Sequence, residues 1–261
     1  MNFSIVFKYL KYKLLAGHSK GHGIHSPFVF DLVSRVFRNK TDSEIVLNIE
    51  KVRKLLLNDK RTIYVDDYGS GSKVLKSKYR KVSEIARFSP VPPKYGMLLS
   101  NMAGEFGSPA IIELGTSFGI STMYLAAGNR NCMVNTVEGS SSVSEIATET
   151  FKQSRLDNIN LTSGSFEEVL PELLNDKVPG LVFIDGDHRR EPLLKYFTMI
   201  AEKAGPATTV IVDDIHHSVE MEEAWEEIKR FEKVSVTVDI FRMGIAFFRE
   251  GISHNDYTIR Y

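Results

Sequence analysis

Five carboxylates and one histidine stand where short apolar runs end: Glu113, Glu138, Asp185, Asp213 and Asp214, with His188 three residues beyond Asp185. Carboxylates bind hydroxyl groups and cations, and a histidine near neutral pH can take the proton of a reacting hydroxyl. Around Glu113 the chain reads Ile111-Ile112-Glu113-Leu114-Gly115-Thr116-Ser117-Phe118-Gly119, a buried strand that turns through two glycines into a helix from Ile120 to Ala127. Gly115 admits a turn where a Cβ would clash, and Gly119 lets a ligand or the following helix approach the backbone. The helix points its first N–H groups into the crevice where ligands of open α/β sheets bind. The spacing is G-x-x-x-G rather than the dinucleotide G-x-G-x-x-G, so the turn reads as nucleotide-binding of another kind. A turn without a ligand stays open on this motif alone.

The segments that position these residues follow in the order a doubly wound sheet requires. Met133 to Val137 is a second apolar strand ending at Glu138 and Gly139. A carboxylate there can accept hydrogen bonds from both hydroxyls of a ribose, and an exposed acidic loop is the alternative. After a helix from Ser142 to Arg155 come a third strand, Asn160 to Thr162, and then Gly164-Ser165-Phe166 leading into a helix through Leu174. Leu181 to Ile184 runs into Asp185-Gly186-Asp187-His188, and Thr209 to Val212 into Asp213-Asp214. So many carboxylates at strand ends are costly unless something positive sits among them. A divalent ion is one answer, and oxygen-only ligands suit Mg²⁺ or Ca²⁺ better than zinc. His188 is a candidate base or a helix cap. His216 and His217 are adjacent, so at most one of them points inward. Val234 to Ile240 and Gly244 to Phe248 are joined closely enough to force an antiparallel hairpin. Trp225, on a Glu-rich helix from Val219 to Phe231, reads as a core anchor.

The glycine turn resembles motif I of the class I S-adenosylmethionine-dependent methyltransferases, E/D-x-G-x-x-x-G. The carboxylates of the fourth and fifth strands narrow the resemblance to the catechol and caffeoyl-CoA type of O-methyltransferase. What the resemblance implies is an α/β fold: a Rossmann-like doubly wound seven-stranded sheet of order 3-2-1-4-5-7-6 with its last strand antiparallel, and an amino-terminal helical extension. It implies S-adenosylmethionine as cofactor, held by Glu113, Gly115, Thr116, Ser117, Gly119 and Ser121 at the first turn, by Glu138 at the ribose, and by Gly164, Ser165, Phe166 and Asp185, with the third loop against the adenine. Phe166 could equally be core. It further implies Mg²⁺ or another divalent cation on Asp185, Asp213 and Asp214, with Asp185 and His188 as catalytic residues. Two positions depart from the family pattern: Asp214 stands where the family has Asn, and His188 where it has the basic Lys. The function so implied is methylation of an oxygen on a small-molecule acceptor (EC 2.1.1.-). An RNA or protein methyltransferase of the same fold without metal, and a cofactor-binding protein without turnover, are the alternatives.

The 261 residues suffice for one large α/β core. The lone Cys132 excludes an intrachain disulfide and fits a reducing, cytoplasmic setting. No apolar run is long enough for a membrane span, and Lys8 and Lys11 break the first one, so no signal peptide is read. Net charge is zero, yet 19 Lys and Arg face 8 Asp and Glu through Tyr95, and 14 face 25 beyond it. The expected division is into a basic, mainly helical amino-terminal extension or lid, residues 1–92, and, as the resemblance implies, a class I methyltransferase catalytic domain, residues 93–261. The extension could neutralise the catalytic domain, pair with a second subunit as a homodimer, or attract an anionic acceptor. Its helices are expected at Phe3 to Leu15, Phe28 to Phe37 and Ser43 to Leu57. His18, His22 and His25 lie in a glycine-rich tract that fits no standard metal site. Asp66 to Lys73 lacks Walker spacing and reads as a turn between extended segments. Lys76, Lys78, Arg80 and Lys81 cluster near Tyr79, which keeps RNA in view as a partner.

Overall fold

The computed structural model describes residues 3–17, 24–39, 43–66 and 77–261. In chain order its elements are α1 (Phe3–Leu15), α2 (Pro27–Asp31), α3 (Ser43–Asn58), β1 (Thr62–Tyr64), β2 (Tyr79–Lys81), α4 (Val82–Phe88) and α5 (Pro93–Phe106). Then follow β3 (Ile111–Leu114), α6 (Ile120–Gly128), β4 (Val134–Glu138), α7 (Ser141–Ser154), β5 (Ile159–Ser163), α8 (Phe166–Asp176) and β6 (Leu181–Ile184). The chain ends with α9 (Arg190–Lys203), β7 (Thr209–Asp213), α10 (Val219–Ile228), β8 (Val236–Asp239), β9 (Met243–Phe247) and β10 (Asn255–Thr258). Two compact units result: Lys40–Asp187, and Met1–Asn39 together with His188–Tyr261.

In the Lys40–Asp187 unit the strands run in the order β6-β3-β4-β5, all parallel. Every residue of β3 and β6 is buried, as strands covered on both faces require. Register places Glu113 between Thr136 and Phe183, and pairs Glu138 with Ser163, so these acidic residues lie near the carboxyl ends of adjacent strands. A cluster of Ile49, Val52 and Leu56 from α3, Val82, Ile85 and Ala86 from α4, Ile120, Met123 and Tyr124 from α6, and Val143 and Ile146 from α7 packs beside them. The helices before residue 92 in this unit thus share a core with those that flank the glycine turn. Arg61 adds polar ties, to Glu149 of α7 (3.0 and 2.7 Å) and to Asp59.

In the other unit the order is β10-β8-β9-β7, with β9 antiparallel to both β7 and β8. The expected strands are all present, as β3 to β9, with the expected orders within each unit. The sequence reading gives no strand at Asn255–Thr258, where β10 pairs parallel with β8. Its residues are polar and mostly exposed, so no apolar alternation marks it. Trp225 is fully buried, as a core anchor should be. Ser26 caps α2 by accepting the Val29 N–H (3.4 Å), with Pro27 in the first turn. The helix continues through Leu32–Val36 as a π-helical stretch.

Three sequence features meet the limits of the described residues. His18 and His22, the loop from Asp67 to Lys73, and Lys76 lie outside them. What flanks that loop is the antiparallel pair β1 and β2. Among the described residues no helix is long and apolar enough to cross a membrane.

Candidate active site

The turn after β3 is laced to the end of β4. Gly115 and Thr116 donate backbone N–H bonds to the Val137 carbonyl (3.0 and 3.2 Å), and the Ser117 N–H donates to Glu138 Oε2 (2.9 Å). Glu138 Oε1 accepts from the Ser140 N–H (3.0 Å), and the Glu138 carbonyl accepts from Gly164 (3.0 Å). The loops after β3, β4 and β5 are therefore tied together around one half-buried carboxylate. Burial raises the Glu138 carboxyl above its ordinary range, against the pull of the Ser140, Ser117 and Gly139 N–H groups.

The two glycines have different tasks. Gly115 has φ of +106°, and a Cβ there would collide with the Asp185 carbonyl, so the turn and the loop after β6 can meet only through glycine. Gly119, at φ of +82°, precedes α6, and a Cβ on it would strike the Phe151 ring of α7. The helix that closes on Gly119 is thus α7, not the one that follows it directly. Ser117 also takes a positive φ, of 47°.

Glu113, Thr116 and Ser121 lie beneath the turn. Glu113 has no exposed surface; its Oε2 accepts from the Thr122 hydroxyl and from Thr136 Oγ1 (2.7 Å), while its Oε1 has no hydrogen-bond partner among the described residues. Thr116 and Thr136 share a hydroxyl bond (2.6 Å). Burial pushes the Glu113 carboxyl up to about 7, despite the Ser121, Thr122 and Thr136 hydroxyls that favour its charge. A carboxyl raised on folding favours the native state while protonated, so its contribution is present below about 4.5 and lost as pH climbs through about 7. Glu113→Gln keeps the neutral form at every pH. Its stability relative to the parent is expected to grow between pH 5 and pH 8, by on the order of 3 kcal/mol. Urea midpoints at the two pH values measure this, and a difference independent of pH would show that Glu113 does not titrate there.

Ser165 caps α8: its hydroxyl accepts from the Glu168 N–H (3.3 Å) and donates to the Glu168 carboxylate (2.9 Å). Phe166 is half-buried with its ring over Gly186. Asp185 is half-buried and anchored through its backbone N–H to the Leu114 carbonyl (2.8 Å).

The residues of the other unit depart from expectation most. Asp213 has no exposed surface, and both its oxygens accept from Arg242: Nε at 3.0 and 3.2 Å and Nη2 at 2.6 Å. Arg242 Nη2 also stands 3.9 Å from Asp214 Oδ1. The positive group demanded by these carboxylates is thus a guanidinium. Among the described residues no group of three or more His, Cys, Asp or Glu is placed to hold a metal ion. Of the expected ligands, Asp213 has both of its oxygens engaged by Arg242. Arg242 was missing from the sequence reading. The signal that would have found it is the register of the hairpin, which pairs Asp213 with Met243 and so brings residue 242 to the strand end.

His188 is half-buried, and its ring lies 6.2 Å from that of the exposed His217. His216 turns elsewhere, bonded through Nδ1 to Glu222 (2.9 Å) and through Nε2 to Asp239 (2.8 Å). Burial opposes the charge on His216, yet Asp239 and Glu222 hold its pKa above the ordinary histidine value. The two adjacent histidines diverge as expected. Two members of the basic cluster near Tyr79 are bonded within the chain. Arg80 is buried with Nε bonded to the Ser77 carbonyl (2.7 Å), and Lys78 donates to the Tyr64 hydroxyl (3.2 Å).

Comparison with known proteins places this geometry among related chains. Residues 112–215 match the family described as "Methyltransferase domain". A protein of Mycobacterium sp. (strain JLS), provisionally named an O-methyltransferase, is 33% identical over 105 residues, 39% of this chain and 47% of that one. The catechol O-methyltransferase of Niastella koreensis is 26% identical over 129 residues, 48% of this chain and 58% of that one. The chain thus spans about half the length of the curated relatives it matches. The O-methyltransferase from Bacillus cereus, solved in complex with S-adenosylhomocysteine, aligns with a TM-score of 0.56 at 20% identity, over 84% of this chain and 97% of that one. TomG from Streptomyces achromogenes, involved in tomaymycin synthesis and solved with S-adenosylmethionine, aligns with a TM-score of 0.53 at 19% identity, over 85% and 95%. At these identities the likeness is one of fold.

Proposed function

We propose, from the match of residues 112–215 to the methyltransferase-domain family, that the protein transfers the methyl group of S-adenosylmethionine to an oxygen of a small molecule. The observation that carries this reading is the half-buried Glu138 carboxylate, tied to the glycine turn through Ser117 and placed at the end of β4. Ordinary backbone bonds fix its orientation, and its oxygens retain acceptor capacity for two vicinal hydroxyls. Gly115 brings this turn against the Asp185 backbone, where a Cβ would collide, so the turn and the loop after β6 meet beside that carboxylate.

S-adenosylmethionine, when bound, supplies a sulfonium methyl open to in-line attack. Glu138 holds the ribose hydroxyls, and the Gly115–Gly119 turn receives the methionine end with its backbone. Gly164 and Phe166 border the adenine, whereas Ser165 contributes through backbone alone, since its hydroxyl serves the cap of α8. Glu113, Thr116 and Ser121 support the turn from below. His188, with the His217 ring beside it, would take the proton of the acceptor hydroxyl as the methyl passes to that oxygen and the carbon–sulfur bond breaks to leave a neutral thioether. Positioning and exclusion of water supply the rest of the rate. Arg242 provides fixed positive charge beside Asp213 and Asp214, and no step runs through a divalent ion. Residues 93–261 act as the catalytic domain in this reading and residues 1–92 as its basic extension. Arg61–Glu149 and Lys8–Glu222 are places where that basic charge is met within the chain.

Calorimetry with S-adenosylmethionine, followed by transfer of labelled methyl to fractionated cell extract, tests the reading. Saturable binding and label in the small-molecule fraction are expected. Absence of binding would sink the cofactor assignment, and label confined to RNA or protein would sink the acceptor class.

A further inference from the structure

The helix α1 has two unlike sides. One is bound to its own unit: Tyr12 is buried and its hydroxyl donates to the Ile259 carbonyl (2.6 Å), Lys8 pairs with Glu222 (2.8 Å), and the Tyr9 and Tyr12 rings meet Phe241 at 5.0 and 5.2 Å. The other side carries Phe7, Leu10 and Leu14, which are 72%, 53% and 86% exposed. At a helical period these three fall within an arc of roughly 60°. Exposed Lys11 and Lys13 lie on opposite edges of that stripe. Residues 1–30 contain four lysines and no Asp or Glu.

We propose that this face of α1 is a docking surface for an anionic phospholipid bilayer. The helix would lie in the headgroup plane, with Phe7, Leu10 and Leu14 among the acyl chains and Lys11 and Lys13 at the phosphates. Charge and size argue for this occupant. Cations border the apolar stripe on both sides with no acidic residue in the surrounding segment, which suits an anionic surface. Three side chains expose far less than the roughly 800 Å² per partner of a stable protein interface, whereas an interfacial helix needs only a narrow apolar stripe backed by lysines. The tyrosines and Lys8 fasten the opposite side, so the helix can carry the whole unit to a surface without unfolding.

Sedimentation of the full chain with vesicles tests the proposal. Binding is expected to vesicles of phosphatidylcholine mixed with phosphatidylglycerol, and to fall at least tenfold with phosphatidylcholine alone or in high salt. The double substitution Leu10→Glu, Leu14→Glu should abolish sedimentation. The pair Lys11→Gln, Lys13→Gln should weaken it about 25-fold, from roughly fivefold per lysine. All four positions are exposed, so melting temperature and S-adenosylmethionine binding should stay unchanged in both variants. Equal binding to neutral and anionic vesicles, no binding to either, or full binding by the Leu10, Leu14 variant would overturn it. So would a concentration-dependent dimer that the same variant dissolves while the parent ignores vesicles.

Discussion

Glu138→Ala is expected to weaken S-adenosylmethionine binding by roughly 100-fold or more. Each charge-assisted hydrogen bond from a ribose hydroxyl is worth about 1.5–3 kcal/mol, and two are lost together. The substitution also frees the Ser117 and Ser140 N–H groups that now converge on the carboxylate, so the turn loses its tie to β4. Glu138→Gln separates the two effects. It keeps an oxygen acceptor and nearly the same shape, and an intermediate loss of about tenfold is expected. Calorimetry gives the affinities, and thermal melting confirms that both variants are folded. If the alanine variant bound the cofactor as the parent does, Glu138 would have no part in recognition.

Arg242→Met should destabilise the fold by about 3–5 kcal/mol at pH 8, because it leaves the fully buried Asp213 charge without its counterion. The sign of the pH dependence follows from the same geometry. Burial and the adjacent Asp214 charge already raise the Asp213 carboxyl, while Arg242 and His188 oppose them. With Arg242 gone the carboxyl rises further, so the variant recovers stability as pH falls and Asp213 takes up a proton. Denaturant midpoints across pH 5 to 8 measure this. In the parent protein, millimolar Mg²⁺, Mn²⁺ or Ca²⁺ should leave the melting temperature unmoved. A rise with metal that Asp213→Asn removes would restore the divalent ion to this site and refute the guanidinium as its substitute.

Much of the architecture was legible in the sequence because the parallel strands are covered on both faces and announce themselves as unbroken apolar runs. Ile111 to Leu114 and Leu181 to Ile184 are of this kind. Strand β10 was hidden for the opposite reason: Asn255–Thr258 is an edge held by backbone bonds to β8, and its side chains face water. The glycine spacing pointed to the turn, yet not to the division of labour in which Gly119 meets Phe151. The carboxylates at the strand ends correctly called for a compensating charge. Its identity depends on a hairpin partner 29 residues away, Arg242 against Asp213. A pairing set by register cannot be read from local composition. The same holds for His216 and His217, whose divergence follows from adjacency while their partners, Glu222 and Asp239 for one and His188 for the other, come from folding.

The anchoring of α1 carries a consequence for biosynthesis. Tyr12 donates to the Ile259 carbonyl across 247 residues of chain, and its hydroxyl also accepts the Tyr261 N–H at 3.1 Å. Lys8 likewise awaits Glu222. The helix is therefore made well before the residues that seat it, 247 positions further along the chain. At roughly 5–20 residues per second, about 10–50 s separate the two events. Throughout that interval both sides of α1, tyrosines and leucines alike, face the surroundings of the translating ribosome.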